Sequence, residues 1–197
     1  MHVDYYFATI SPYTYLAGTR PAEVAARNGA TIAYRPLDIM ALFSRTGGVP
    51  PGQRHPSRQE WRLQEMRRAA AKLGMPIHLR PAFWPADPAR SSHAIIAAAA
   101  DGTGEVAALV AGLTRACWAE ERDVADPQVI GDCLDAAGFD RGIAARDDSA
   151  SADVYARNLE DAVAAGAFGA PFFVVGQERF WGQDRLGDLD EHLAART

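Results

Sequence analysis

The hydrophobic positions of this chain follow strand periodicity at its two ends and helical periodicity between them. Residues 3–10 are rich in aromatic and β-branched side chains, which is typical of a strand, and residues 12–28 space their apolar positions as a helix does. Residues 30–36 predict a second strand. The chain therefore opens as a β-α-β unit, whose two strands should run parallel through a right-handed crossover.

The middle of the chain predicts helices and connections but contains no convincing strand between residues 40 and 165. Gly- and Pro-rich stretches at 47–57 and 76–88 interrupt the helical spacing. Helices are predicted from about residue 57 to 73, through Ile95 and Ile96, through 106–117, from Asp126-Pro127 onward, and from about 151 to 165.

Strand character returns at residues 172–175, and after a Gly-Gln turn residues 178–181 complete a hairpin before a final helix. The order βαβ…ββα predicts an α/β architecture, a thioredoxin-like fold interrupted by an all-helical inserted subdomain. We expect residues 1–38 plus 166–197 to form the thioredoxin-like domain and residues 39–165 the inserted helical subdomain.

Composition narrows the classes of function. The 197 residues are 48% hydrophobic and carry a net charge of -5, which argues against a nucleic-acid partner. No apolar run approaches the ~20 residues of a membrane span, and no secretory signal is visible, so we expect a cytoplasmic protein with no membrane partner. The histidines lack the spacing of metal ligands, which predicts that no metal is bound. The spacing of the two cysteines predicts packed, inert thiols. Arg62, Arg67 and Arg68 alternate with Glu60 and Glu65 as on a solvated helix face.

The stretch Ser11-Pro12-Tyr13-Thr14 lies where the first strand gives way to a helix. It has the spacing of a C-x-x-C redox motif with both sulfurs replaced by oxygen, at the point where a thioredoxin-type fold places its reactive sulfur. The structural alternative is a plain helix start, because Ser is a preferred N-cap and Pro a preferred first residue. The functional interpretation is that the hydroxyl and the helix dipole stabilise a thiolate brought by a ligand, with glutathione as the candidate carrier.

The second half of this site is predicted at the start of the late strand. Gly169-Ala170-Pro171 precedes that strand, and a cis-Pro loop at this place in a thioredoxin-like fold lies opposite the first helix. Ala170 would then offer its backbone N–H and C=O to the cysteinyl segment of glutathione, although a merely structural Pro is the alternative. Gln183 and Asp184 would hold the γ-glutamyl end, unless Asp184 only caps the last helix.

Several segments, spread in order over nearly the whole chain, resemble the 2-hydroxychromene-2-carboxylate isomerases. Their relatives are the kappa-class glutathione transferases, and both groups belong to the DsbA-like thioredoxin superfamily. The matching segments are DYYFATISPYTYLA (4–17), RPLDIM (35–40), TGGVPP (46–51), FGAPFFVV (168–175) and FWGQDRL (180–186). The combination of SPYxYLA with FWGQDRL is the specific part of the resemblance.

The resemblance implies glutathione as cofactor, Ser11 as the catalytic residue that stabilises its thiolate, and a homodimer. The glutathione-binding residues that it implies by position are Ser11, Pro12, Tyr13, Arg58, Ala170, Pro171, Gln183 and Asp184. Arg58 keeps the positive charge of a Lys in relatives. In contrast, Gly48 falls where many relatives have an Asn, so that side-chain contact is lost here.

The activity implied is glutathione-dependent interconversion of 2-hydroxychromene-2-carboxylate and trans-o-hydroxybenzylidenepyruvate in aromatic-hydrocarbon catabolism. Candidate substrate contacts are Phe43, Phe83 and Trp84 as apolar walls and Arg58 or Arg90 as carboxylate partners. A kappa-class-like transferase or peroxidase is an alternative, because it would use the same thiolate. A non-catalytic thioredoxin-like binding module is another. A disulfide oxidoreductase is disfavoured, since neither position 11 nor position 14 is Cys.

Overall fold

The computed structural model describes residues 1–146 and 149–196. Its strands are β1 (His2–Phe7), β2 (Thr31–Pro36), β3 (Phe172–Val175) and β4 (Glu178–Trp181). Its helices are α1 (Pro12–Ala17), α2 (Arg20–Arg27), α3 (Ile39–Thr46), α4 (Pro56–Leu73), α5 (Ala89–Asp101), α6 (Val106–Trp118), α7 (Pro127–Ala136), α8 (Ser149–Ala164) and α9 (Leu186–Ala194). Short 3-10 turns lie at Pro51–Gln53, Arg141–Ala145 and Gln183–Arg185.

The strands form one mixed sheet in the order β2-β1-β3-β4. β1 runs parallel to β2, as the β-α-β prediction required, and β3 is antiparallel to both β1 and β4. In the described part of the chain, residues 37–171 contribute helices and turns but no strand. The sheet and the helical middle together confirm the predicted α/β fold.

The central strand β1 is covered on both faces, which explains its continuous apolar sequence. Tyr5 stacks on Phe173 of the neighbouring β3 with ring centroids 4.7 Å apart, and it packs on Phe7 at 4.8 Å. All three rings are at most 1% exposed. Because β1 is anchored from both sides, its C-terminal end is a rigid point from which α1 begins.

The helix predicted over residues 12–28 is two helices, α1 and α2, and this part of the prediction was wrong. Gly18 ends α1 with a positive φ of 57°. The side chain of Arg20 then turns back and donates to the carbonyls of Leu16 (2.6 Å) and Ala17 (3.2 Å). A guanidinium that satisfies the last carbonyls replaces the hydrogen bonds of a continuing helix, so α1 stays only six residues long.

Helix α3 is absent from the sequence-based prediction although its end signals are present. The Asp38 carboxylate accepts from the N–H groups of Met40 (2.9 Å) and Ala41 (3.1 Å), and Gly47 ends the helix in the left-handed conformation. The helix brings Phe43 toward the loop that follows it.

The helical middle of the chain holds the start of α1 by three hydrogen bonds. Two of the contacts come from the Pro-rich connection between α4 and α5, and one comes from α5. The bonds are Trp84 Nε1 to Ile10 O (2.9 Å), Tyr15 Oη to Pro76 O (2.5 Å) and Thr9 Oγ1 with Ser91 Oγ (2.8 Å). The turn between β1 and α1 is therefore fixed by the sheet on one side and by the helical layer on the other.

The two cysteines are buried free thiols, as the sequence predicted. Burial raises the pKa of Cys117 to about 12 and that of Cys133 to about 11. At neutral pH both are protonated and inaccessible, so neither is a nucleophile. Within residues 1–146 and 149–196, no helix combines the length and the apolar character that a bilayer crossing requires.

Candidate active site

Ser11 lies at the N-terminus of α1 and caps it, as predicted. Its Oγ accepts a hydrogen bond from the Thr14 N–H (3.3 Å), and its hydroxyl donates to the carbonyl oxygen of Ala170 (3.3 Å). Both distances are at the long end of the range for hydrogen bonds, so both bonds are weak. The residue is 9% exposed. The hydroxyl is thus positioned but loosely held, and a better acceptor can displace it from Ala170.

The loop opposite Ser11 carries the predicted cis-proline. The Ala170–Pro171 peptide bond is cis, and the Pro171 carbonyl accepts from the N–H of Gly182 at 3.0 Å. The loop therefore connects the two halves of the site, because Ala170 contacts Ser11 while Pro171 holds the turn that follows β4. A further cis bond, Trp84–Pro85, is absent from the sequence-based prediction.

The turn after β4 places Gln183 beside α1. Gly182 has φ 111° and ψ 155°, and a Cβ there would lie 2.5 Å from Asp184 Oδ1. Gln183 is 9% exposed, whereas Asp184 is exposed and forms an ion pair with Arg185 at 3.2 Å. The alternative that Asp184 caps the last helix is wrong, because a 3-10 turn intervenes and Arg185 occupies the N-cap position of α9.

Three polar side chains around the start of α1 have no hydrogen-bond or ion-pair partner among the described residues. They are the Tyr13 hydroxyl, the Gln183 amide and the Arg62 guanidinium. None of them is a polar atom sealed from solvent, in contrast to the Thr14 hydroxyl, so all three remain open to a ligand. Enclosed polar groups are normally satisfied. A tripeptide with amide, amino and carboxylate groups fits the Tyr13 hydroxyl and the Gln183 amide, so these two residues suit glutathione.

The charges around Tyr13 keep it a neutral phenol. Burial raises its pKa most, and the carboxylates of Glu65 and Asp184 raise it further, while Arg62 and Arg54 oppose this shift. The net shift is upward, so the O–H is retained at neutral pH and can donate a hydrogen bond. Two cations and two carboxylates therefore act on the same hydroxyl with opposite signs.

Arg62 is a residue that sequence reasoning misplaced. It was grouped with Arg67 and Arg68 on a solvated helix face, but it is only 8% exposed. Its Cζ lies 5.4 Å from the centroid of the Trp84 ring. Trp84 thus lies beside Arg62 and close to the start of α1, whereas Phe83 is 51% exposed, and the role of both as substrate walls stays a prediction. No sequence signal distinguishes Arg62 from its neighbours, because the loop that covers it comes from elsewhere in the chain.

The other predicted arginines lie at different depths. Arg58 is exposed on the first turns of α4, and its charge lowers the pKa of the neighbouring Arg54 after the larger effect of burial. Arg90 lines a separate cavity together with His93 and Arg146. The structure therefore brings Arg54 and Arg62 to Tyr13, and it places Arg90 in a different group of side chains.

Gly48 lies against Phe43, which explains the lack of a side chain there. A Cβ at position 48 would collide with Cδ1 of the Phe43 ring and lie 3.0 Å from the Phe43 Cα. The Arg54 guanidinium also packs on Phe43, with its Cζ 5.9 Å from the centroid of the Phe43 ring. Phe43 therefore occupies the space that a side chain at position 48 would need.

We expect Gly48→Asn to destabilise the protein by about 1–3 kcal/mol, because the new side chain displaces Phe43. The measurement is the free energy of unfolding from denaturant titration. Gly52→Asn is the matched control, since a Cβ at Gly52 meets nothing within 4 Å. Equal stability of the two variants would show that Phe43 moves aside without cost.

Comparison with known proteins supports this description of the fold. A family model of the DSBA-like thioredoxin domain matches residues 2–194. The chain is 30% identical over 194 residues to a 2-hydroxychromene-2-carboxylate isomerase of Sphingobium xenophagum, with 97% of each chain covered.

Solved structures share the fold at lower identity. A 2-hydroxychromene-2-carboxylate isomerase structure superposes with a TM-score of 0.79 at 24% identity, covering 100% of this chain and 96% of that one. The structure of the cytosolic disulfide reductase DsbM from Pseudomonas aeruginosa, determined with GSH, superposes with a TM-score of 0.70 at 22% identity. The match covers 100% of this chain and 97% of that one. At these identities the likeness shows the fold alone.

Proposed function

The chain belongs to the DSBA-like thioredoxin domain family and groups with the 2-hydroxychromene-2-carboxylate isomerases, and from that premise we propose that it is a glutathione-dependent isomerase. Its proposed reaction interconverts 2-hydroxychromene-2-carboxylate and trans-o-hydroxybenzylidenepyruvate. The observation that carries the proposal is the hydroxyl of Ser11 at the position of a redox sulfur, facing the Ala170 carbonyl across the site.

Binding of glutathione would exchange hydrogen bonds at Ser11 and Ala170. The cysteinyl N–H of the ligand would donate to the Ala170 carbonyl, which now accepts the weak bond from the Ser11 hydroxyl. The released hydroxyl would donate to the sulfur instead, while the Thr14 N–H continues to hold its oxygen. Charge-assisted O–H···S⁻ bonding and the helix N-terminus both favour the ionised form.

Polar groups around the start of α1 would hold the rest of the ligand. The Gln183 amide and the exposed Asp184 carboxylate can pair with the carboxylate and the amine of the γ-glutamyl end. Arg58 would be the partner for the glycyl carboxylate at the other end, and the resemblance implies that Pro12 and Pro171 would lie beside the sulfur. Gly48 contributes no side chain to this set. The DsbM structure that shares the fold was determined with GSH, which supports the same cofactor here.

The chemistry that glutathione supplies when bound is reversible thiolate addition to the conjugated double bond, which permits rotation about that bond and consumes no glutathione. The chain's own residues orient the reactants. Ser11 stabilises the thiolate without attacking the substrate. Tyr13, a neutral phenol with a free hydroxyl, can donate to the substrate oxygen on which negative charge develops. Trp84 and Phe43 are the candidate apolar walls.

A disulfide exchange function does not fit this site, although structures of disulfide reductases share the fold. Positions 11 and 14 carry hydroxyls, and the buried Cys117 and Cys133 have raised pKa values. A transferase of the kappa type remains chemically compatible with the same thiolate. The two activities differ in one observable, because only the transferase consumes glutathione.

The test is titration of the protein with glutathione by calorimetry, together with the ultraviolet absorbance of the thiolate. We expect a thiolate signal at pH 7 and isomerisation of the chromene without loss of glutathione. Turnover that consumes glutathione would favour the transferase instead. A protein that binds no glutathione at millimolar concentration would refute the proposal and favour the binding-module alternative.

Two further parts of the proposal rest on the resemblance. The cytoplasm supplies reduced glutathione and keeps cysteines such as Cys117 and Cys133 as thiols, so we place the protein there. We also keep the homodimer of the family as a prediction. Exposed aromatic side chains such as Trp61 and Trp181, 57% and 53% exposed, offer surface for such an interface.

A further inference from the structure

Arg62 carries a buried positive charge that nothing in the described chain neutralises. The residue is 8% exposed, and its guanidinium makes no hydrogen bond and no ion pair with a described residue. The guanidinium instead lies over an uncharged surface, with its Cζ 5.4 Å from the centroid of the Trp84 ring. Buried charges are normally paired, because removing an ion from water without a counter-ion is costly.

The acidic and basic neighbours of Arg62 do not supply the missing partner. Glu65, one turn further along α4, is engaged by Arg68 with a 2.8 Å contact. Arg54, on the other side, adds a second positive charge near the same tyrosine hydroxyl. This part of the site therefore holds an excess of positive charge, which is the environment that an anionic ligand group requires.

The position of Arg62 relative to Ser11 is fixed by Trp84. The indole stacks against the guanidinium on one side, and its Nε1 donates to the carbonyl of Ile10, the residue that precedes Ser11. Trp84 is further held by the fully buried Trp118, with ring centroids 5.6 Å apart. The guanidinium thus lies beside an aromatic wall next to the sulfur position, and its donors are not sealed from solvent.

We propose that Arg62 binds the carboxylate of the aromatic substrate, with Trp84 forming the surface on which the substrate ring lies. This inference rests on the proposed function for the identity of the substrate, and it assigns a carboxylate partner that sequence reasoning sought in Arg58 or Arg90. A planar guanidinium can accept a carboxylate through two parallel hydrogen bonds. The exposed Arg58 lacks this enclosure, and Arg90 belongs to another cavity.

The test compares the affinity of wild type and Arg62→Met for trans-2-hydroxycinnamate, an aromatic carboxylate with a conjugated double bond. We expect the variant to bind this probe about 10-fold to 100-fold more weakly, as for a lost charged hydrogen bond. Neutral 2-hydroxycinnamamide should bind both proteins equally. Arg67→Met is the matched control, because Arg67 is an exposed arginine on the same helix, and it should bind the probe as wild type does.

Stability and glutathione affinity separate this role from a structural one. Without its unpaired charge, Arg62→Met should have a Tm equal to or higher than that of wild type, although it binds the probe less well. Arg62→Lys should recover part of the affinity. Unchanged probe affinity in Arg62→Met would overturn the assignment, and so would a loss of glutathione affinity, which would place a carboxylate of glutathione at Arg62.

The probe experiment is independent of catalysis. If wild type fails to bind glutathione, the proposed isomerase function fails, but the difference in probe affinity between wild type and Arg62→Met still decides whether Arg62 is a carboxylate site. If wild type is an active isomerase, the same variant should raise KM for the chromene carboxylate about as much as it weakens probe binding.

Discussion

Replacing Ser11 by alanine should lower kcat with bound glutathione by about 100-fold to 1,000-fold while glutathione still binds. The Ser11 hydroxyl donates to the carbonyl of Ala170 in the opposite loop. The proposed γ-glutamyl contact of Gln183 and the proposed cysteinyl contact of the Ala170 backbone would remain in the variant. The loss should therefore fall on the stabilised sulfur and not on overall affinity.

The pH dependence of the Ser11→Ala variant shows in which direction the Ser11 hydroxyl shifts the pKa of the bound thiol. A free thiol has a pKa of about 8.5, and a donor hydroxyl lowers it by favouring the charged form. Without the hydroxyl the thiol pKa rises back, so the thiolate absorbance at pH 7 should fall. The rising limb of the pH–rate profile should move upward by about one to two units, each unit corresponding to about 1.4 kcal/mol.

Thr14→Val is the control for this experiment. The Thr14 hydroxyl is one turn away, sealed from solvent and without a hydrogen-bond partner among the residues that the structure describes, so its removal should leave the proposed sulfur environment unchanged. Ser11→Ala also removes a helix cap, which costs about 1 kcal/mol of stability and is read separately from the Tm. A variant that keeps both the thiolate signal and its kcat would refute the role of Ser11.

Gly182→Ala should weaken glutathione binding by at least about 10-fold and destabilise the protein by about 1–3 kcal/mol. Its backbone, at φ 111° and ψ 155°, lies in a region that only glycine adopts readily, and a Cβ would lie 2.5 Å from Asp184 Oδ1. The Asp184 side chain can rotate away from the new methyl group, but relief of the backbone strain at position 182 would move the turn that presents Gln183 and Asp184. The affinity is measured by calorimetry, and the stability by denaturant titration.

Gly187→Ala is the matched control for Gly182→Ala. Gly187 lies in α9, where a Cβ would meet nothing within 4 Å, so the exchange should stabilise the helix by about 1 kcal/mol. Both variants add one methyl group to the same short segment. Wild-type glutathione affinity in Gly182→Ala would show that the turn does not hold the γ-glutamyl end.

The fold was predictable where local patterns decide structure. β3 and β4 have the predicted bounds, because short apolar runs flanked by a Gly turn leave few alternatives. The division between α1 and α2 was not predictable, because a helix usually tolerates an isolated glycine such as Gly18. Arg20 completes the break, because its side chain donates hydrogen bonds to the last carbonyls of α1. That contact depends on a rotamer, which spacing does not reveal.

The candidate site divides in the same way. The Ser11 cap and the cis-proline at 171 follow from motifs that are contiguous in sequence, and both were predicted. Arg62 was misassigned, because its burial comes from Trp84, more than twenty positions away on a Pro-rich connection. The periodicity of charges on α4 predicts exposure only for an isolated helix. In the folded protein, the connection that carries Trp84 determines which arginines of α4 are exposed to solvent.

The burial of Cys117 and Cys133 has a consequence for how such a catalyst responds to oxidants. With both sulfurs protonated and enclosed, the polypeptide has no redox state of its own that affects the site. The proposed reaction would borrow its nucleophile entirely from solution. Its rate would then follow the reduced fraction of the cellular thiol pool, falling during oxidative stress and recovering with the pool, without repair of the protein.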